Sequence, residues 1–107
     1  MSNIKIIHSN NSKKYYLNGR LHREDGPAID LISGYKAWYI NGKLHREDGP
    51  AIIYPDHTEK WYFNGKLHCN QGPAIIYPEG VKKWYINGNQ VTEHQYNDQL
   101  IQNHISV

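Results

Sequence analysis

Three histidines recur at equal spacing along the chain, and a short charged or polar segment follows each of them. His22, His45 and His68 are 23 residues apart. A column of imidazoles suggests a metal site, because neutral imidazole is a common zinc ligand. Equivalent strands of successive hairpins lie about 10 Å apart, however, whereas ligands of one zinc ion lie about 2 Å from it. We therefore expect no metal site and instead expect each histidine to hydrogen-bond a neighbouring corner.

The segments that follow the histidines place acids beside a base. Residues 23–25 and 46–48 both read Arg-Glu-Asp, whereas residues 69–71 read Cys-Asn-Gln. The base and both acids are lost together, which favours a ladder of compensating ion pairs between repeats. The alternative is that two charged units line a specific site that the third unit does not share. Cys69 directly follows His68, but adjacent strand residues point to opposite faces, so a catalytic dyad is not expected.

An aromatic row offers the best binding surface. Tyr39, Tyr62 and Tyr85 recur at the same spacing beside Lys60 and Lys83. Aromatic rows beside cations stack bases or nucleotide rings, and tyrosine is equally favoured at protein interfaces. Together with cations and imidazoles of the charged segments, the candidate binding residues are Tyr39, Tyr62, Tyr85, Lys60, Lys83, Arg23, Arg46, His22 and His45. The sequence has no phosphate loop, no Ser-His-Asp set and no carboxylate pair at catalytic spacing, so we expect neither an enzyme nor a cofactor.

These residues belong to a repeat of 23 residues that spans nearly the whole chain. The period divides one domain, 1–107, into a half repeat at 1–12, repeats at 13–35, 36–58 and 59–81, a terminal half repeat at 82–91 and a C-terminal helix at 92–104. A fixed period of this size is typical of arrays in which each unit packs only against its neighbours.

Turn signals within the period predict an all-β fold. Asn-Gly recurs at 18–19, 41–42, 64–65 and 87–88, and this dipeptide favours type I′ hairpin turns. Proline or glycine marks a second corner in each unit, at 32–35, 55–58 and 78–81. The pattern predicts an antiparallel meander of repeated β-hairpins with a short C-terminal capping helix. Thr92 and Gln95 form a capping box, and Tyr96, Leu100 and Ile101 form a narrow apolar stripe that should cover the final strand.

Strand alternation assigns the two faces of this sheet. The tryptophan side is apolar in every repeat and is expected to form the core, whereas the tyrosine side is amphipathic and half-exposed. Ile29, Ile52 and Ile75 should point inward, and the position occupied by Asp30, Ile53 and Ile76 should point outward. Because apolar groups lie on both faces, we expect a second copy, as in a homodimer, or curling of the sheet to cover the tyrosine row.

Composition limits the remaining functions. The 107 residues carry a net charge of +2 and a single cysteine, which argues against nucleic-acid binding and against a disulfide framework. No segment resembles a signal peptide or a membrane span. We therefore expect a cytoplasmic protein without membrane contact.

The repeat WYINGKLHREDGPAIIY resembles MORN repeats, which also have 23 residues and form hairpin sheets. It is more similar to MORN-like WYxNGKxHREDGPA arrays of tailed bacteriophages and large DNA viruses, and the likeness covers about residues 13–98. Such arrays are mostly interaction scaffolds. Ordinary MORN units carry His-Gly-x-Gly where this chain has His-Arg-Glu-Asp-Gly-Pro, so their membrane and partner roles do not transfer residue by residue.

The resemblance implies a non-enzymatic, phage-encoded protein that binds and inhibits a host protein, such as a component of a bacterial defence system, in the host cytoplasm. One alternative is a sponge for a small nucleotide-like anion, held by tyrosine, histidine and arginine from adjacent repeats or subunits. A second alternative is a structural scaffold. Carbohydrate binding is disfavoured by the absence of a secretion signal.

Overall fold

The computed structural model describes residues 3–105 of the chain, and the side chains of residues 3–101. The predicted half repeat at 1–12 and the domain limits at 1 and 107 extend beyond these residues. The elements are short, as the dense turn signals require: β1 (Ile4–His8), β2 (Ser12–Leu17), β3 (Arg20–Leu21), β4 (Ile29–Leu31), β5 (Lys36–Ala37), β6 (Tyr39–Ile40), β7 (Lys43–Leu44), β8 (Ile52–Ile53), β9 (Glu59–Lys60), β10 (Tyr62–Phe63), β11 (Lys66–Leu67), β12 (Ile75–Ile76), β13 (Lys82–Ile86), β14 (Asn89–Val91) and α1 (Glu93–Ile105).

The strands form one long antiparallel sheet with small hairpins beside it. The main sheet has the order β1-β2-β4-β5-β8-β9-β12-β13-β14, and β3 also pairs with β2. The pairs β6–β7 and β10–β11 form two separate ribbons. The molecule measures 47 × 37 × 18 Å, which is the shape of a single-layered plate. The predicted all-β meander of hairpins with a C-terminal helix is confirmed.

Both corners of the repeat have a local cause. At the Asn-Gly turns, φ is about +50° at each asparagine and between +80° and +86° at each glycine, as a type I′ turn requires. At the second corner, Gly34 and Gly80 have φ of +103° and +89°, and His57 has φ of +74° at the equivalent position. The Asp56 carboxylate accepts the Thr58 N–H at 2.9 Å and closes this turn.

Each internal repeat breaks its aromatic strand at the tryptophan. Residues 36–37 pair with the Ile52 strand of the main sheet, whereas residues 39–40 pair with the strand after the Asn-Gly turn. Trp38 lies between these two pairings and donates its N–H to the carbonyl of Ala51 at 2.7 Å. The change of partner at each tryptophan turns the Asn-Gly hairpin out of the main sheet.

The most buried strand side chains lie on the tyrosine side of the sheet. Ile52 lies opposite Ala37 and Lys60, and Ile75 lies opposite Lys60 and Lys83. Cross-strand partners share a face, so the buried row shares its face with both lysines. Ala37, Ile52 and Ile75 are 0%, 5% and 4% exposed. The isoleucines predicted to point inward therefore lie on the tyrosine side and not on the tryptophan side. Ile52 and Ile75 are buried there, and Ile29, which lies opposite Ala37, is half-buried.

The prediction that the tryptophan side forms the core holds only in part. Ala51 and Ala74, each 0% exposed, lie on this side opposite Trp38 and Trp61, but the large rings are not fully covered. Trp38, Trp61 and Trp84 are only half-buried, and Phe63 is 41% exposed. A sheet of one layer has no second layer to cover large rings. Small alanine and isoleucine side chains can instead be shielded by the long lysine and tyrosine side chains beside them.

The C-terminal helix begins as the capping box predicts. Thr92 N–H donates to Gln95 Oε1 at 2.9 Å, and Gln95 N–H donates to Thr92 Oγ1 at 3.0 Å. The apolar stripe is only partly buried, because Tyr96 is 4% exposed whereas Leu100 and Ile101 are 42% and 55% exposed. Within the described residues no helix is long and apolar enough to cross a membrane.

Candidate functional site

A row of tyrosines runs across consecutive repeats on the face that carries Lys60. Tyr35 and Tyr54 pack edge to face, with ring centroids 5.6 Å apart. The Lys60 ammonium lies 5.2 Å from the Tyr54 ring centroid, and the Lys83 ammonium lies 5.7 Å from the Tyr77 ring centroid. We call this surface the tyrosine face, and its members are Tyr35, Tyr39, Tyr54, Tyr62, Tyr77, Tyr85, Lys60 and Lys83.

Rings of neighbouring repeats lie near one another on the tyrosine face. Burial raises the pKa of Tyr62, whose neighbours include Lys60, Tyr54, Tyr39 and Tyr85. Burial also raises the pKa of Tyr35, with Tyr39, Tyr54 and Tyr62 as neighbours. All six rings are half-buried. The predicted residues Tyr39, Tyr62, Tyr85 and Lys60 are thus brought together on one surface, and Lys83 joins it beside Tyr77.

The arginines of the charged segments lie flat on aromatic rings. Arg23 Cζ is 4.0 Å from the Tyr15 ring centroid, and Arg46 Cζ is 3.9 Å from that of Trp38. The glycine of each corner lies close to the guanidinium: a Cβ at Gly49 would lie 2.6 Å from Arg46 Cζ, so the arginine would have to shift. We call these two stacked segments, 23–27 and 46–50, the arginine corners.

The ion pairs of the arginine corners form within a repeat. Arg23 Nε donates to Asp25 Oδ1 at 3.0 Å, and its Nη1 donates to the Pro27 carbonyl at 3.2 Å. Arg46 makes the same two bonds, to Asp48 at 3.2 Å and to Pro50 at 3.1 Å. The predicted ladder between repeats is therefore wrong for these pairs. The aspartate is only two residues after the arginine, so the guanidinium folds back onto its own segment. There it also donates a hydrogen bond to the proline carbonyl.

The histidines make the links between repeats. Nδ1 of His22, His45 and His68 accepts the backbone N–H of Asn41, Asn64 and Asn87, at 2.9, 3.0 and 2.9 Å. Nε2 faces Glu24, Glu47 or Asn70 in the same order. The prediction that each histidine bonds a neighbouring corner is confirmed. Within residues 3–101 no group of three His, Cys, Asp or Glu side chains is arranged to hold a metal ion.

The C-terminal helix docks on the third corner through Tyr96. Tyr96 donates its hydroxyl proton to the Cys69 carbonyl at 2.5 Å and accepts the Gly72 N–H at 3.1 Å. The Cys69 thiol is 4% exposed, and burial raises its pKa, which keeps it protonated and unreactive.

A groove of about 800 Å³ lies between the two arginine corners, with Trp38, Ile40 and His45 in its wall. Its rim is acidic: the side chains of Glu24, Asp25, Glu47 and Asp48 are 78–90% exposed, whereas both arginines are 25% exposed. Trp38 follows Ala37 and points to the opposite face. The candidate residues therefore divide between two faces, with Arg23, Arg46 and His45 on the groove side and His22 holding the neighbouring turn.

Sequence reasoning missed three of the six rings of the tyrosine face, namely Tyr35, Tyr54 and Tyr77. Tyr54 and Tyr77 recur before Pro55 and Pro78 at the same 23-residue period, so the period itself could have identified them. The docking of Tyr96 had no comparable signal, because only the fold shows which corner the helix reaches.

The fold and these surfaces define a β-hairpin repeat protein with an aromatic face and an acidic groove on its opposite side. Comparisons with protein-family models, with curated proteins and with solved structures find no match.

Proposed function

We propose that this chain is a non-enzymatic protein-binding module and that the tyrosine face is its contact surface. The observation that carries the proposal is the continuity of the face: six half-buried rings and two ammonium groups span the repeats on one side of a flat plate. Tyrosines give large contact area at a small entropic cost. A flat surface of this kind suits a protein better than a small molecule, which needs a concave site.

The chemistry of the tyrosine face indicates what kind of surface a partner would present to it. The tyrosines offer apolar edges and hydroxyl groups, and Lys60 and Lys83 add positive charge. A complementary surface would present apolar or aromatic side chains with carboxylates beside them. The resemblance to phage arrays supports a finer version of the proposal, in which a viral protein binds and inhibits a host defence protein in the host cytoplasm.

Binding of a nucleotide-like anion is the alternative, and the lysines beside the rings favour it. The arginine corners favour it less, because each guanidinium is already bonded to an aspartate and a carbonyl. Exposed carboxylates also surround the groove and would repel an anion. A nucleotide screen by thermal shift separates the proposals, since a bound nucleotide would raise Tm by mass action.

The decisive experiment is affinity capture from a bacterial lysate with three baits. The first is the unaltered chain, the second carries Lys60→Glu with Lys83→Glu, and the third carries Lys43→Glu with Lys66→Glu. The third bait has the same change in charge, placed on exposed residues after the Asn-Gly turns. A partner of the tyrosine face is captured by the first and third baits and lost from the second. Equal capture by all three baits would refute the proposed face.

A further inference from the structure

The first strand of the sheet is an apolar edge. In the described part of the chain, β1 pairs only with β2. Ile4, Ile6 and Ile7 are 68%, 46% and 46% exposed, so apolar side chains are presented on both faces of this edge. An edge strand with these properties pairs readily with another strand unless something blocks it.

The backbone groups of β1 that point outward can be identified. Asn18 N–H donates to the Asn3 carbonyl at 3.0 Å, and Ser9 N–H donates to the Ser12 carbonyl at 2.9 Å. Hydrogen-bonded positions alternate along an antiparallel pair, so the odd-numbered residues of β1 bond β2. Ile4, Ile6 and His8 therefore direct their N–H and C=O groups to the free edge.

We propose that two copies of this chain form a dimer by pairing their β1 strands antiparallel, with the two-fold axis at Ile6. In this register Ile6 lies opposite Ile6 of the second copy, and Ile4 lies opposite its His8. Each outward-facing residue then exchanges hydrogen bonds with a partner residue, so no polar group of the edge is left unpaired. The interface is isologous, as two-fold symmetry requires.

Charge and shape select this register over its neighbours. An axis at Lys5 would place two ammonium groups opposite each other and leave His8 unpaired, and an axis at Ile7 would leave Ile4 unpaired. With the axis at Ile6, Lys5 lies opposite Ile7 of the second copy. Lys5, Ile7 and Tyr16 line a groove of about 330 Å³ beside this edge, and the second Ile7 would cover it.

The dimer would extend the binding surface. A two-fold axis between antiparallel edge strands is perpendicular to the sheet, so both tyrosine faces would point to the same side. A partner with repeated or paired epitopes would then bind with the avidity of two linked sites. The dimer does not depend on the function proposed for the tyrosine face.

The test begins with light scattering on the full chain over a wide range of concentrations. We expect the unaltered chain to be a dimer. The Ile6→Lys variant should be a monomer, because the change places two positive charges opposite each other at the two-fold axis. The control is Ile32→Lys, which alters a more exposed isoleucine, 77% exposed, in a turn; it should remain dimeric. A monomeric unaltered chain, or a dimer that persists at Ile6→Lys, would overturn the proposal.

Cysteine cross-linking tests the register even if Ile6→Lys fails to fold. Hydrogen-bonded antiparallel partners have Cα atoms about 5.5 Å apart, which lies within the range of roughly 4.4–6.8 Å found for disulfides. Oxidised Ile6→Cys should therefore form a covalent dimer, whereas Lys5→Cys should not, because it faces residue 7. The buried Cys69 thiol should not interfere. Cross-linking at position 5 and not at position 6 would overturn the proposed register.

Discussion

His45 Nδ1 accepts the backbone N–H of Asn64 at 3.0 Å, across the boundary between two repeats. The bond fixes the neutral histidine as the Nε2–H tautomer, because Nδ1 must keep its lone pair. Nε2 lies 3.3 Å from Glu47 Oε2, as a donor to a carboxylate should. The same arrangement at His22 and His68 links each strand pair to the next Asn-Gly turn.

Removal of this link should weaken the array. We expect His45→Ala to lower the free energy of unfolding by about 0.5–1.5 kcal/mol, the net contribution of a typical hydrogen bond, as measured by urea denaturation. The control is His94→Ala, which removes an imidazole that is 86% exposed and contacts Asp98 of the same helix at 3.3 Å. Equal effects of the two changes would contradict the linking role, as would nitrogen NMR shifts that show a protonated Nδ1.

Replacing His57 with glycine should increase the stability of the protein. His57 has φ of +74° where the other repeats have glycine, and a left-handed backbone costs a residue with a Cβ roughly 1–2 kcal/mol. Glycine loses more entropy on folding, so we expect His57→Gly to raise stability by about 0.5–1 kcal/mol. The reciprocal change Gly80→His should lower it. Thermal and urea unfolding measure the stability of both variants. A less stable His57→Gly variant would contradict the claim that the backbone at His57 is strained.

The stacked arginine of the second corner can be tested with a double-mutant cycle. Gly49→Ala should cost about 0.5–1 kcal/mol, the contribution of a cation–π contact, because its Cβ would meet the Arg46 guanidinium at 2.6 Å and displace it from Trp38. In an Arg46→Ala background the same change should cost much less. Urea unfolding of the four proteins gives the coupling energy. A cost of Gly49→Ala that is independent of Arg46 would show that the stack does not set this requirement.

Alkaline pH should destabilise the fold through its tyrosines. Burial raises the pKa of Tyr35, Tyr62 and Tyr96 above the ordinary value of 10.0. The three phenols stabilise the fold fully below the ordinary pKa, which applies to the unfolded chain. This stabilisation is lost as pH rises through the higher pKa of the folded state. The free energy of unfolding should therefore fall above pH 10.0.

Comparison with a protein carrying Tyr35→Phe and Tyr62→Phe separates this effect from lysine deprotonation. The double variant should lose less stability over the same pH range. An equally steep loss in both proteins would show that these two phenols do not cause it.

The sequence predicts the hairpin array well because its signals are local. Asn-Gly at a fixed period dictates the turns, and Thr92 with Gln95 dictates the helix start. The depth of burial on each face is harder to predict, because strand alternation shows which residues share a side but not how well that side is covered. In a plate one layer thick, Ala37 and Ile52 are buried because they are small beside long neighbours, while Trp38 protrudes and is covered by Arg46. The contact of Tyr96 with Cys69 joins distant segments, and no local pattern encodes it.

The central proposal is that the tyrosine face binds a protein, and lysine footprinting tests it most directly. The captured complex and the free chain are treated with an amine-reactive reagent, and each lysine is followed by mass spectrometry. Lys60 and Lys83 should lose reactivity in the complex, whereas Lys43 and Lys66 should keep theirs. Protection of Lys43 and Lys66, with Lys60 and Lys83 still reactive, would contradict the proposal.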